Sequence, residues 1–221
     1  MNYLTHKLLN SEELEILRKN LEKEILLWED GKLTAGKHAA KVKNNLQLRR
    51  DSNLSIKFSG LITKKILNNE LIKSFALPKK IHGTIFSKST KGMRYGRHID
   101  NVYMSSGRAD LSFTIFLSSK NNYEGGALSI EDFNSEEQFK LDAGELIIYP
   151  STYLHSVEEV VKGERLVFIG WIESYVKSIE EREYLFDLDA AARSLLAKYG
   201  RSNEVDLLFK SYSNFLRILS S

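Results

Sequence analysis

Between Ile81 and Tyr175 the chain is cut into eight short β-rich segments with turn residues between them. They are Ile81–Lys88, Met93–Asp100, Asp110–Ser118, Ala127–Phe133, Gln138–Leu141, Leu146–Tyr149, His155–Val160 and Arg165–Tyr175. Successive side chains of a strand point to opposite faces, so Leu111, Phe113, Ile115 and Leu117 share one apolar face. Tyr123-Glu124-Gly125-Gly126 and Lys162-Gly163 supply turns. Both prolines, Pro78 and Pro150, lie at the edge of this region or inside it. Short strands at such spacing restrict the segment to a sandwich or a barrel.

The flanks have helical spacing. In the N-terminal flank Leu14, Ile16, Leu17, Leu21, Ile25 and Leu26 approximate one apolar face, with Ser11 as the expected N-cap. Gly31 and Gly36 bracket a loop or short hairpin, and a second helix is expected over Leu54–Ser74. In the C-terminal flank Leu185, Leu188, Ala192, Leu195, Leu196 and Tyr199 share a face that ends at Gly200. Leu207, Leu208, Tyr212, Phe215, Leu216 and Leu219 form a last amphipathic helix. The expected class is α+β with a mainly β core. A mostly helical support region covers 1–78, the β core 79–175 and a C-terminal helical region 176–221. The apolar helix faces brace the core or build a homo-oligomer surface.

Several function classes fall away on composition. The absence of cysteine excludes disulfides, thiolate zinc sites, iron–sulfur clusters and a Cys nucleophile. No apolar run approaches the roughly 20 residues that cross a bilayer, so no membrane partner is expected. With no secretory pattern from Met1 to Asn10, the cytoplasm is the expected location. A net charge of +3 is mildly basic, short of a dedicated nucleic-acid binder. Lys37, Lys41, Lys43, Arg49 and Arg50 cluster, and basic residues recur from Lys79 to Arg97. Such clusters read as a solvated face or as a surface that attracts an acidic substrate or partner. Nucleic-acid dealkylation would need exposed aromatics interleaved with the basic residues, which the sequence does not show.

The chemistry concentrates in a few residues. In Tyr95-Gly96-Arg97-His98-Ile99-Asp100 an imidazole and a carboxylate two residues apart share one face of the expected strand. His155, after the apolar Leu146-Ile147-Ile148-Tyr149-Pro150, opens the next strand and can supply a third ligand. Two His and one carboxylate on one side of a metal leave positions open, the arrangement of non-haem Fe(II) oxygenases. The same residue types also suit zinc or manganese.

Arg165 lies beyond Val161-Lys162-Gly163 in an otherwise apolar strand. A three-residue hairpin loop there would pair Val160 with Glu164 and His155 with Ile169. Arg165 would then lie about 13 Å along the strand from the His155 partner, on the same face. A five-carbon dicarboxylate together with a long guanidinium arm bridges that gap, and a guanidinium grips carboxylate in bidentate fashion.

Taken together, these blocks resemble the PKHD-type hydroxylases, Fe(II)/2-oxoglutarate oxygenases related to prolyl 4-hydroxylases. The resemblance covers nearly the whole chain. Trp28-Glu29-Asp30-Gly31-Lys32-Leu33-Thr34-Ala35-Gly36 and Val42-Lys43-Asn44-Asn45 resemble that family's opening block. The His98–Asp100 segment resembles its first metal motif. Asp110-Leu111-Ser112, Phe116-Leu117-Ser118 and Tyr123-Glu124-Gly125-Gly126 resemble its central strands. Tyr149-Pro150-Ser151, His155, Gly163, Arg165 and Trp171 match its second half, and Leu185 through Gly200 its tail.

The resemblance implies a double-stranded β-helix of the jelly-roll or cupin-like kind. It implies Fe(II) on His98, Asp100 and His155, and the distal carboxylate of 2-oxoglutarate on Arg165. It further implies O2 as co-substrate, release of succinate and CO2, and L-ascorbate dependence. One departure stands out. Where relatives often carry Arg-Tyr before the metal motif, this chain has Phe86-Ser87-Lys88-Ser89, and Ser89 is too short to replace a phenol. Tyr95 and Thr114 are the candidates to compensate at the 2-oxoglutarate site. The kinship points to a prolyl residue in a peptide or protein as substrate. A small molecule, such as a free amino acid or an iron-uptake metabolite, is the alternative. A non-catalytic cupin-like sensing module is a third reading.

Overall fold

The computed structural model describes residues 2–34, 36 and 39–220. Lys37 of the basic cluster and Ala35 of the opening block lie outside the described residues. In chain order the strands are β1 (Leu4–Lys7), β2 (Trp28–Asp30), β3 (Lys43–Asn44), β4 (Leu46–Leu48), β5 (Pro78–Thr90), β6 (Arg94–His98), β7 (Tyr103–Met104), β8 (Gly107–Arg108), β9 (Leu111–Phe116), β10 (Tyr123–Gly125), β11 (Leu128–Glu131), β12 (Glu136–Phe139), β13 (Glu145–Pro150), β14 (Leu154–Val157) and β15 (Val160–Ser174). The α-helices are α1 (Ser11–Lys23), α2 (Asn53–Leu67), α3 (Glu70–Ala76), α4 (Ile179–Tyr199) and α5 (Asn203–Leu219).

Two antiparallel sheets carry the core. The large one runs β1-β13-β9-β15-β5-β4-β2, with β10 paired to β15, and the small one runs β12-β11-β14-β6-β3. Every residue of β9 is buried, because the large sheet is covered on both faces. Leu111, Phe113 and Ile115 pack with Ile148, Phe168 and Ile172 against Leu17, Leu21, Phe58, Ile62 and Ile66 of α1 and α2. Phe116, Ile147, Tyr149 and Val167 turn the other way and pack on Leu128, Ile130 and Phe139 of the small sheet. Period-two alternation thus sorts each central strand into a helix-facing row and a row between the sheets. Ser112, Thr114 and Arg165 belong to the second row.

The N-terminal region holds the helices α1, α2 and α3, and short strands as well. Four strands lie in it, and they extend both sheets. The first helix begins at Ser11, but its cap is Asn10, whose side chain accepts from Glu13 N while the Glu13 carboxylate accepts from Asn10 N. The helix expected over Leu54–Ser74 is two helices. Asn69 caps the second by accepting from Ile72 N, and that cap interrupts the first.

Candidate active site

His98 and His155 sit opposite each other on neighbouring strands of the small sheet, β6 and β14. The pairing is irregular: Tyr95 and His98, three residues apart, face Val157 and His155, two residues apart. This is a β-bulge, and it places Tyr95 and His98 on one side where a regular strand would oppose them. The Tyr95 ring accordingly stacks on His98, with centroids 3.7 Å apart and planes at 19°.

Strand β6 ends at His98, so Asp100 lies beyond it rather than on the expected strand face. Asp100 still reaches the same point. Its Oδ2 is 3.7 Å from His155 Nε2 and accepts a 2.6 Å hydrogen bond from Ser112 Oγ of β9. Ser112 in turn meets Ser151 Oγ at 2.7 Å. One ligand atom from each of His98, Asp100 and His155 lies within 4.8 Å of the others.

Both imidazoles are oriented by backbone. Nδ1 of His98 is 2.8 Å from the Gly96 carbonyl, and Nδ1 of His155 is 3.1 Å from the Tyr153 carbonyl. A carbonyl only accepts, which assigns the proton to Nδ1 and leaves each Nε2 lone pair for a metal. Burial, then the neighbouring His155, hold the His98 pKa well below its ordinary value and keep it neutral. The donor set therefore fits a divalent cation on three protein ligands.

Arg165 approaches from the opposite sheet, which corrects the hairpin expectation. Strand β14 pairs with β11 and β6, whereas β15 pairs with β9 and β5, so Ile169 faces Ile85 and Thr114 and not His155. Val160–Gly163 is no loop but the start of β15, and Tyr123 pairs with Gly163. Gly163 has φ +80°, and a Cβ there would lie 2.2 Å from the Asn122 carbonyl oxygen. Its glycine serves close strand approach rather than a turn.

The Arg165 side chain is 3% exposed, and its Nε has no hydrogen-bond partner. The guanidinium lies 5.5 Å from the centre of the Phe116 ring. Tyr123, whose hydroxyl also lacks a partner, and Tyr149 are its polar neighbours. Nε of a buried cation and a buried hydroxyl beside it thus lack geometric partners, and a carboxylate at this end would supply them. The phenol beside Arg165 thus comes from β10, while Ser89 of β5 pairs with Arg165 across the sheet.

One cavity of about 300 Å³ joins these groups. His98, Asp100, His155, Arg165, Tyr95 and Thr114 all line it. So does Trp171, packed on Gly83, where a Cβ would lie 2.7 Å from the indole Cε3. Lys43, Arg50, Ser112 and Tyr149 were not among the expected site residues, yet they line it too. The only sequence signal for Lys43 was its place in the opening block and the basic cluster. It is 5% exposed, so it is not part of a solvated face.

Comparison with known proteins bears on this arrangement. Residues 84–173 match the model of the 2OG-Fe(II) oxygenase superfamily, and residues 180–220 match the PKHD-type hydroxylase C-terminal domain. A PKHD-type hydroxylase of Prochlorococcus marinus strain MIT 9215 is 73% identical over 219 residues, 99% of either chain. The chain belongs to the PKHD-type hydroxylase family.

That membership makes it an Fe(II)- and 2-oxoglutarate-dependent dioxygenase, with O2 as co-substrate. The fold is shared more widely. A Pseudomonas putida prolyl-4-hydroxylase superposes with a TM-score of 0.58 at 15% identity, over 78% of this chain and 92% of that one. A Trichoplax adhaerens prolyl hydroxylase, in complex with a hypoxia inducible factor peptide fragment, gives 0.57 at 14%, over 83% and 86%. At such identities the likeness is one of fold, and it identifies the two sheets as a double-stranded β-helix. No helix among the described residues is long and apolar enough to cross a membrane.

Proposed function

We propose that the enzyme hydroxylates a prolyl residue of a peptide or protein, with Fe(II) on His98, Asp100 and His155 and the distal carboxylate of 2-oxoglutarate on Arg165. The observation that carries this reading is the shared cavity, lined both by three converging candidate ligands and by a buried guanidinium whose Nε has no hydrogen-bond partner. Bound Fe(II) with 2-oxoglutarate supplies the O2-dependent oxidation of a C–H bond, with succinate and CO2 as co-products. The chain's own contribution is placement. The Gly96 and Tyr153 carbonyls aim the two Nε2 atoms, and Ser112 steers the Asp100 carboxylate. Arg165 fixes the distal end of the dicarboxylate, with Tyr123 as the phenol at that end. Ile85, Leu128, Val157, Val167 and Ile169 line the cavity with apolar surface and keep bulk water from the reacting centre. Tyr95 and Thr114 border the 2-oxoglutarate site, and L-ascorbate is the expected reductant that sustains turnover.

The prolyl assignment draws on the two neighbours of like fold, both prolyl hydroxylases. The small cavity favours the alternative of a free amino acid or other small metabolite. Incubation with Fe(II), 2-oxoglutarate and a library of prolyl peptides, read by mass spectrometry, tests the proposal. A gain of one oxygen on proline is expected. Succinate released by small molecules but by no peptide would overturn it.

A further inference from the structure

The cavity holds a second buried cation, which the iron and 2-oxoglutarate assignments leave without a role. Lys43 sits on the two-residue strand β3, paired with Tyr95 of β6. Two residues on, Asn45 donates a 2.6 Å hydrogen bond to Ser87 Oγ of β5 in the other sheet. The short segment is thereby tied to both sheets, and Lys43 is held at the cavity wall. Its ammonium lies 5.0 Å from the centre of the Tyr95 ring, on which His98 stacks. Its hydrogen-bond partner is the Thr34 hydroxyl at a long 3.4 Å. Among the described residues it forms no ion pair, and the Asp100 and Asp30 charges act on it only from a distance.

A lysine this buried is ordinarily paired. Here the largest single charge acting on it is repulsive. Arg50 lines the same cavity and repels Lys43. Asp100, the larger of the two acidic charges that offset Lys43, is taken up by the cation in the proposed site, and Arg50 has Glu29 instead. The carboxylates of 2-oxoglutarate do not relieve the imbalance, because one goes to the metal and the other to Arg165. Arg165 has Tyr123 and Tyr149 as its electrostatic neighbours, and neither cation is among the charges acting on the other. They serve different ends of one cavity.

We propose that Lys43, with Arg50 beside it, receives a carboxylate carried by the substrate, and so selects anionic substrates and sets the C–H bond beside His98. This rests on the reading of His98, Asp100, His155 and Arg165 given above. The carboxylate belongs either to a small acid or to an acidic residue or chain end of a peptide.

The test uses the full chain loaded with Mn(II) and 2-oxoglutarate, where paramagnetic relaxation of ligand protons reports proximity to the metal without turnover. The probes are N-acetyl-proline and N-acetyl-leucine, each as acid and as amide, and blocked peptides with Glu or Gln beside Pro. In the unaltered protein the acids are expected to relax at concentrations roughly tenfold lower than the amides, the effect of one charge-assisted hydrogen bond. Lys43→Met should erase the difference and Lys43→Arg should retain it, with 2-oxoglutarate affinity within about twofold in both. Acids and amides relaxing alike, or no acid relaxing at all, would overturn the proposal. So would Lys43→Met weakening 2-oxoglutarate as much as Arg165→Ala does, since that places Lys43 on the co-substrate. Acid preference without proline preference sustains Lys43 and removes the prolyl reading; proline preference blind to charge does the reverse. Glu peptides preferred over N-acetyl acids identify the peptide source.

Discussion

Ser112 donates a 2.6 Å hydrogen bond to Asp100 from the opposite sheet, and it is the contact that holds the carboxylate in place once β6 has ended. A metal-binding carboxylate on a loop needs such a partner to keep its orientation, and loss of one typically costs 10- to 100-fold in metal affinity. Ser112→Ala is therefore expected to weaken Mn(II) or Fe(II) binding by roughly tenfold. Titration followed by calorimetry checks it. Undiminished affinity would show that Asp100 is positioned without Ser112.

Arg165 gives two opposed expectations in one residue. Its buried charge has only the phenols of Tyr123 and Tyr149 beside it until a carboxylate arrives, so the apo protein carries much of its desolvation cost. Arg165→Met should raise the apo melting temperature by a few degrees, corresponding to about 1–2 kcal/mol. The same variant should lose the thermal shift that 2-oxoglutarate produces, with affinity down by about two orders of magnitude, while metal binding stays intact. Parallel loss of metal and 2-oxoglutarate would remove Arg165 from its proposed place.

The strand pattern carried most of the β core, because alternation and turn glycines are local signals. Leu111, Phe113 and Ile115 face the helices as their spacing required. The convergence of His98, Asp100 and His155 follows the sequence only in part: Asp100 lies beyond β6 and not on the strand face that its spacing from His98 implied. What failed was long-range pairing. The glycine at position 163 looks the same in sequence whether it closes a hairpin or admits a neighbouring strand, and only the two-sheet topology decides. The burial of Lys43 is not legible in the sequence, because a lysine in a basic cluster is usually solvated and its burial comes from β3 packing on β6, dozens of residues away. The β-bulge that brings Tyr95 onto His98 had no signal in the residue pattern.

The depressed pKa of His98 predicts how the apo protein responds to acid. A His whose folded pKa lies below its unfolded value of about 6.5 binds its proton more readily when unfolded. Stability is then fully present above the unfolded pKa and declines as pH falls from there toward the lower folded value. Urea unfolding of the apo protein at pH 7.5 and at pH 5 should show this loss, and His98→Gln should reduce the difference. A metal-saturated sample should resist acid more, since bound metal blocks protonation. An identical pH slope in His98→Gln would assign the acid response to other groups.

Gly83 offers a last test, one that separates cavity shape from metal chemistry. Its φ of +65° disfavours any L side chain, and a Cβ would come within 2.7 Å of Trp171 Cε3. Trp171 lines the cavity and has no hydrogen-bond partner for its indole nitrogen, so nothing polar resists its displacement. Gly83→Ala is expected to cost roughly 1–3 kcal/mol of stability from backbone strain alone. It should also push the indole into the cavity, changing the Trp171 indole NMR signal and raising KM for the substrate more than for 2-oxoglutarate. Metal affinity should be unchanged, because Gly83 touches none of the three ligands. A variant with normal stability and an unmoved indole signal would mean that β5 relaxes to accept the methyl group, and that the Trp171 wall is softer than its packing on Gly83 implies.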